Sequence, residues 1–177
     1  MLTLARALKA LDEVWNTKPA EIALTWNTAV QFDGALVSQL VSEYTRLSHR
    51  FGTLARQLPA DAQVAARSVL DCADELHRLR HCEALRLYPL IAHSLAGDPV
   101  ARRLFWQSRL VMLGLARRAF RRLDEVARAI RGGSGVAAAI EHAAKALAEY
   151  RQRNEAEIYP LYALSGRRRG LAASSAA

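Results

Sequence analysis

Four segments of the chain carry apolar residues at alternating spacings of three and four, a pattern typical of helices that bury one face. The first stripe consists of Leu36, Leu40, Tyr44, Leu47, Phe51, Leu54 and Leu58. The second consists of Val69, Cys72, Leu76, Leu79, Glu83, Leu87 and Leu90. The third consists of Leu104, Ser108, Val111, Leu115, Ala119, Leu123, Val126 and Ile130. The fourth consists of Ile140, Ala143, Leu147, Tyr150, Asn154, Ile158 and Leu161.

Turn and capping residues separate these four stripes. Pro59 ends the first helix, and the second is predicted to open after Asp61 and to close near Gly97. Asp98 followed by Pro99 is a favourable N-cap and first-turn pair for the third helix, because Asp accepts a backbone N–H and Pro has none to leave unsatisfied. The run 132–135 breaks the chain before the fourth helix, with Ser134 as a candidate cap.

Four amphipathic helices with short connections hide their apolar faces most simply by packing around one core. The sequence therefore predicts an all-α fold, an up-down-up-down four-helix bundle over residues 35–165. Residues 2–15 predict a short extra helix with a connecting arm up to residue 34. Residues 166–177 are small and basic, which favours a flexible tail.

Composition agrees with a helical protein and constrains its location. Hydrophobic residues make up 51% of the chain, Pro and Gly are few, and the formal net charge is +8, mostly from arginine. Cys72 and Cys82 lie ten residues apart on one predicted helix, about 15 Å along its axis, and so do not pair with each other. No uncharged stretch is long enough to span a membrane. We expect a cytoplasmic protein without a disulfide framework.

The second and fourth predicted helices carry similar sequences near their ends. Leu87-Tyr88-Pro89 and Ile158-Tyr159-Pro160 occupy matching places, each followed by leucine. Over about residues 36 to 165 the chain resembles the hemerythrin-like (HHE) family, in which these helices carry His-x-x-x-Glu ahead of such an ending. That resemblance implies a bundle with a di-iron site in its core, since residues at i and i+4 share one helix face.

The residues that match the family's ligand positions are mostly not ligands. On the second helix the glutamate position holds Glu83, but the histidine position holds Leu79. On the fourth helix the two positions hold Asn154 and Tyr150. On the first helix the apolar frame places Tyr44 where the family has histidine.

The position on the third helix falls near Ser108 or Leu110, neither of which is histidine. Of six ligands that the resemblance implies, only Glu83 is present. The sequence therefore predicts a degenerate member of the family without a metal cofactor, iron being the alternative.

A hydrogen-bonded polar cluster is the predicted replacement for the metal centre. A buried carboxylate without partners costs several kcal/mol, so we expect Glu83 to bond to Tyr44, Tyr150 and Asn154, with Leu79 filling space. On this hypothesis Glu83→Leu leaves the fold intact or firmer, and a large loss of stability indicates a further partner. The alternative is that Tyr44 and Tyr150 are ordinary core aromatics and that Glu83 snorkels to solvent.

The five histidines do not form the missing site on a helical wheel. His77 and His81 stand at i and i+4, yet they lie far around the helix from Leu79 and Glu83, which favours a solvated flank or a surface site for zinc or nickel. The other three, His49, His93 and His142, also fall off the apolar stripes.

Two serines stand beside histidines in the sequence. Ser48 precedes His49, and Ser94 follows His93. Adjacent residues on a helix do not face each other, so they make poor pairs of nucleophile and base. No catalytic residues are predicted.

Three functions remain open at the level of sequence. The first is a non-catalytic interaction or regulatory module that has lost the di-iron site and binds a protein partner or itself. The second is an atypical iron protein for oxygen, nitric oxide or iron handling, with Glu83, tyrosinate and Glu155 or Glu157 as ligands. The third, nucleic-acid binding through the arginines of the third helix, is disfavoured because they surround the helix and have acidic neighbours.

Overall fold

The computed structural model describes residues 32–58 and 61–174, with side chains described up to residue 166. The helix predicted over 2–15, most of the arm that follows it, and Pro59 lie outside these residues. The described part of the chain contains helices and no strand. The predicted all-α class is therefore confirmed for these residues.

Within the described ranges, six α-helices and two π-helical segments make up four long helical rods. The first rod is α1, Leu36–Arg56, and the third is α4, Pro99–Gly132. The second rod runs through α2 (Ala62–Cys82), a first π segment (Glu83–Leu87) and α3 (Tyr88–Ser94). The fourth rod runs through α5 (Val136–Arg153), a second π segment (Asn154–Ile158) and α6 (Tyr159–Ser174).

Two of the predicted N-caps are present. The Asp61 carboxylate accepts the backbone N–H groups of Gln63 at 2.7 Å and Val64 at 3.2 Å, and α2 opens after it. The Asp98 carboxylate accepts the N–H of Ala101 at 2.9 Å, with Pro99 in the first turn of α4. Each side chain satisfies N–H groups that have no partner within the helix.

Glycine, and not Ser134, shapes the connection between α4 and α5. Gly133 has a φ of 68° and ends α4, while the N–H of Ser134 donates to the carbonyl of Ala129 and that of Gly133 to Ile130. This left-handed ending suits glycine, which has no Cβ to clash. The N-cap of α5 is Gly135, also at a φ of 68°, so the expectation that Ser134 caps the fourth helix was wrong.

The apolar stripes pack into a core between the rods. Each rod contacts the next along the chain, and α1 also contacts α5. The stripe of the second rod is buried throughout, as predicted, and so is that of the first rod from Leu36 to Phe51. Leu58, at the end of the first stripe, is 39% exposed.

The first part of the third stripe was predicted on the wrong face. Leu104 and Val111 are exposed, and the buried residues there are Phe105, Arg109 and Met112. The error is a shift of one residue: Phe105, Arg109 and Met112 have the same spacing of four and three as the predicted stripe. From Leu115 onward the predicted residues are buried.

The last helix extends further than the predicted bundle boundary. α6 continues to Ser174, so most of the segment that was expected to be a tail is helical. Its flexibility stays a prediction. None of the described helices has an apolar stretch long and uncharged enough to cross a membrane.

Candidate functional site

The predicted polar cluster forms around Glu83, at the start of the first π segment. The Tyr150 hydroxyl donates to Glu83 Oε2 at 2.5 Å, and Asn154 Nδ2 donates to Glu83 Oε1 at 3.2 Å. All three side chains have a relative exposure of 0%, and Leu79 beside them is buried. Glu83 thus does not snorkel to solvent, and that part of the alternative was wrong.

A buried arginine that the sequence analysis did not place lies in the same cluster. Arg80 has a relative exposure of 0%, and its Nη1 donates to the Tyr150 hydroxyl at 2.6 Å. Its guanidinium carbon lies 5.3 Å from the centre of the Tyr150 ring. The hydrogen bonds therefore form a chain from Arg80 through Tyr150 to Glu83, and arginine is always charged in proteins. The carboxylate has a cation as its neighbour.

Two further tyrosines surround the carboxylate. The Tyr159 hydroxyl donates to Glu83 Oε1 at 3.3 Å. The Tyr44 ring is buried and packs on the Tyr150 ring with 5.7 Å between centroids. The predicted positions Tyr44, Tyr150 and Asn154 thus meet in one layer, and Tyr159 is an addition to it. The expected hydrogen bond from Tyr44 to Glu83 was wrong, because the buried Tyr44 hydroxyl has no hydrogen-bond partner among the described residues.

The π segments explain why Tyr159 reaches the cluster. The N–H of Tyr159 donates to the carbonyl of Asn154, five residues back, and that of Tyr88 donates likewise to Glu83. In an α-helix a residue five positions on lies about 140° around the axis, but one wide turn brings it to the same face. Proline follows each tyrosine, and it lacks the N–H that a regular α-helix would use there.

Burial dominates the electrostatics of this layer. Desolvation raises the pKa of Glu83, while the Arg80 charge and the hydrogen bonds from tyrosine act in the opposite direction. Desolvation also raises the pKa values of Tyr44, Tyr150 and Tyr159, and the negative charge of Glu83 adds to the effect. The phenols are therefore protonated donors at neutral pH and not phenolates.

A second buried arginine lies next to the cluster. The guanidinium of Arg109 stacks over the Trp106 ring at 4.6 Å and over the Tyr88 ring at 5.5 Å. Burial lowers its pKa to about 10, so it stays charged at neutral pH. With Arg80 and Glu83, the interior of the described bundle contains two guanidinium groups and one carboxyl group.

The signals for these additional residues were present in the sequence but ambiguous. Arg80 stands three residues before Glu83, within reach on one helix, and Arg109 has helical spacing to Phe105 and Met112. Arg109 was counted with the other arginines of the third helix, and no role was predicted for Arg80, because arginine is almost never fully buried unless it is paired. Tyr159 is off the stripe in an α-helix, and only the π segment brings it in.

The histidines lie where the helical wheel placed them, away from this layer. His49, His81, His93 and His142 are exposed, and His77 is half-buried beside Phe120. The described residues contain no group of three or more His, Cys, Asp or Glu side chains placed to hold a metal. The hydroxyl of Ser48 donates to the Tyr44 carbonyl, and that of Ser94 is hydrogen-bonded to Ser165.

The donors around Glu83 do not fit a pair of iron ions. The layer offers one carboxylate, one amide and protonated phenols, whereas such ions are held by imidazoles and several carboxylates. Arg80 places a permanent positive charge next to this carboxylate, and it would repel a metal cation. The raised pKa values of the tyrosines make phenolate ligands costly as well.

Comparison with known proteins does not add a relative to this picture. No family model, no curated protein and no solved structure matches the chain. The likeness to hemerythrin-like proteins therefore depends on the Tyr-Pro motifs and the helix pattern.

Proposed function

We propose that this chain is a non-catalytic, metal-independent helical module that acts in protein interaction or regulation. In this proposal it is a degenerate hemerythrin-like bundle, and the chain of hydrogen bonds from Arg80 through Tyr150 to Glu83 takes the place of the metal centre. That single arrangement supports the proposal most strongly. It fills the layer with buried side chains, and the Glu83 carboxylate accepts hydrogen bonds from Tyr150, Asn154 and Tyr159. In this proposal the interior is structural and function belongs to the outer surfaces.

An up-down-up-down arrangement of the four rods is part of the proposal. Contacts between α1 and α2 run in opposite directions, since Arg78 pairs with Glu43 at 2.9 Å and Glu75 pairs with Arg50 at 3.3 Å. Contacts between the second rod and α4 also run in opposite directions along the chain, since Phe120 lies beside His77 and Phe105 lies beside Tyr88.

The first and fourth rods show the same opposite pairing. Tyr44 packs against Tyr150, and the backbone N–H of Asp33, just before α1, donates to the hydroxyl of Tyr162 at 3.0 Å. The second and fourth rods instead pair in the same direction, through Glu83 with Asn154 and Ser94 with Ser165. Parallel diagonal rods and antiparallel neighbours are what an up-down-up-down bundle requires.

The iron-protein alternative receives less support from the acids that it needs. Glu155 is exposed and pairs with Arg151 at 3.4 Å, and Glu157 pairs with Arg153 at 2.8 Å. Both carboxylates are thus engaged with arginines of their own helix. Among the described residues, Glu83 would be the only buried carboxylate available to iron.

Nucleic-acid binding is also disfavoured by the ion pairs of α4. Arg118 pairs with Glu149 at 3.0 Å, Arg122 with Glu125 at 2.6 Å and Arg128 with Asp124 at 3.0 Å. These pairs engage three arginines of α4 with acidic partners, whereas phosphate contacts need a basic surface whose charges are not already neutralised.

Metal binding to the full chain tests the proposal directly. The chain, produced with added iron and freshly purified, is expected to contain far less than one metal per molecule by elemental analysis. Adding ferrous iron without oxygen is expected to leave the unfolding temperature unchanged, since a ligand at about 100 times its Kd would stabilise the fold by about 2.7 kcal/mol. Stoichiometric iron that Glu83→Gln abolishes would overturn the proposal.

A second variant separates a surface site from the core. Any zinc or nickel that binds through His77 and His81 is expected to disappear in the double variant His77→Ala/His81→Ala. Metal that persists in this variant and is lost in Glu83→Gln would point to the interior instead.

A further inference from the structure

The first half of α4 exposes apolar side chains on the side that faces away from the core. Val100 is 69% exposed, Leu104 58%, Leu110 68% and Val111 46%. Single exposed apolar residues are ordinary on protein surfaces, but a contiguous group of them marks a binding surface. These four lie within about three turns of one helix.

Their spacing matches the seam of a coiled coil. Val100, Leu104, Gln107, Val111 and Gly114 follow one another at alternating intervals of four and three, and these five residues define the outer seam of α4. The buried residues Phe105, Met112 and Ala116 lie roughly opposite the outer seam on the helix. A Cβ added at Gly114 would meet nothing within 4 Å, so the seam has an open place for a partner's side chain.

The charge beside the outer seam is of one sign. Between residues 99 and 123 the sequence contains seven arginines and no acidic residue. Arg103 is exposed and lies beside the outer seam on the side of Leu110. Arg121, also exposed, lies seven residues beyond Gly114, where the spacing of the outer seam continues. A partner that covers this surface therefore meets an apolar line with arginine beside its start and beyond its end.

We propose that the outer seam of α4 binds an amphipathic helix of a partner protein whose flanking positions are acidic. This inference rests on the proposed function, for which it names the surface and the chemistry of the partner. Apolar residues at the partner's a and d positions would pack along Val100, Leu104 and Val111. Acids at its flanking positions would pair with Arg103, and acids beyond its apolar residues would pair with Arg121.

Charge also selects this occupant over a second copy of the chain. Two outer seams placed together would bring arginines against arginines, because this half of α4 contributes no acid to either side. Like charges across an interface cost several kcal/mol. The narrow line of heptad spacing fits a helix better than a lipid surface, which would bury a broader face.

Binding of designed helices to the full chain tests the inference. The probes are two fluorescent peptides with leucine at a and d, one with glutamate and one with lysine at e and g. The glutamate peptide is expected to bind, and the lysine peptide to bind at least about tenfold more weakly. Leu104→Asp/Val111→Asp is expected to weaken binding of the glutamate peptide at least about tenfold. Arg103→Glu/Arg121→Glu is expected to reverse the preference between the peptides.

The control variant is Leu164→Asp, which changes a similarly exposed leucine on α6 and is expected to leave binding unchanged. Circular dichroism melts check that each variant folds. The inference is overturned by equal binding of both peptides, by no binding of the glutamate peptide, or by no effect of Leu104→Asp/Val111→Asp. It is also overturned if that variant instead abolishes a dimer in analytical ultracentrifugation, or binding to phosphatidylserine vesicles or to RNA. Metal content is unaffected by these variants, so the two proposals fail independently.

Discussion

Arg80 and Glu83 are charged groups in the interior of this protein, so the free energy of unfolding depends on how they compensate each other. Each group alone would be costly to bury, and together they meet through the hydroxyl of Tyr150. Removal of one member of such a pair leaves the other charge without compensation. The earlier expectation that Glu83→Leu leaves the fold intact therefore changes, since Arg80 is the partner that the sequence analysis did not name.

A double-mutant cycle measures this coupling. Glu83→Leu is expected to destabilise the fold by about 3–5 kcal/mol, because it leaves the Arg80 guanidinium buried without a carboxylate. Arg80→Met/Glu83→Leu is expected to cost roughly 1–3 kcal/mol less than the sum of the two single variants. Urea unfolding of all four proteins at neutral pH gives the coupling energy.

The control is the exposed pair Arg118–Glu149, whose side chains are 51% and 46% accessible to solvent. The matched cycle with Arg118→Met and Glu149→Leu is expected to give less than about 1 kcal/mol. Additive losses for Arg80 and Glu83 would show that the two charges are independent, and the description of the cluster would then be wrong.

At the scale of residues, the sequence predicted that Glu83, Tyr150 and Asn154 meet, but not which other side chains accompany them. Glu83, Tyr150 and Asn154 stand on regular apolar stripes, so their inward direction follows from helical spacing. Arg80 also has helical spacing to Leu76 and Glu83, but arginine is exposed so often that its burial could be recognised only together with its partners.

At the scale of elements, the two π segments change the direction around the helix axis in which the side chains that follow them point. Each inserts one residue relative to an α-helix, immediately before Tyr88 and Tyr159. The inserted residue brings these tyrosines to the face that already carries Glu83 and Asn154. In both rods the Tyr-Pro sequence thus follows a widened helical turn at the polar layer.

Single-residue deletions test this description of the second π segment. Deleting the exposed Ala156 removes the inserted residue, so the rod becomes continuous α-helix and the residues on both sides keep their faces. The expected cost is about 1–3 kcal/mol, the ordinary range for one change. Deleting Ala148, also exposed but in the regular part of α5, turns Tyr150 away from the core by about 100° and is expected to cost considerably more.

Thermal unfolding followed by circular dichroism compares the two deletions. The expected order of stability is wild type, then the variant without Ala156, then the variant without Ala148. Equal losses would mean that the π segment contributes no inserted residue, and a greater loss at Ala156 would contradict the description altogether.

The four helical rods could be predicted from sequence because the capping residues, the glycines and the apolar spacing agree. Capping by Asp61 and Asp98, the glycines after α4 and the apolar spacing all point to the same boundaries. The π segments could not be predicted, since the spacing rule assumes a constant turn. The start of α4 was misread because it carries apolar residues on two faces, and Leu104 and Phe105 fit the pattern equally well.

At the scale of the whole molecule, the direction of the four rods decides which surfaces are available. In an up-down-up-down bundle each rod contacts two neighbouring rods, which leaves one side of each rod without another of the four rods against it. The outer seam of α4 would lie on that side, since it is opposite the buried Phe105 and Met112. The proposed topology and the proposed docking surface are therefore physically consistent with each other.

Distances from one spin label near the start of α1 test the topology. With Cys72→Ala and Cys82→Ser to remove native thiols, a label at Ser38 is paired in turn with exposed positions on the other three rods. If the rods alternate in direction, Ser38 is close to labels at Leu85, Leu110 and Gln152. It is then farther from labels at Arg67, Arg128 and Ala137, because at least about 15 residues, an axial offset of roughly 20 Å at about 1.5 Å each, separate the two positions on each rod. Pulsed electron paramagnetic resonance resolves such a difference. A reversed order on any one rod would exclude the alternating arrangement, since that rod would then run in the opposite direction and a long crossover would have to connect it.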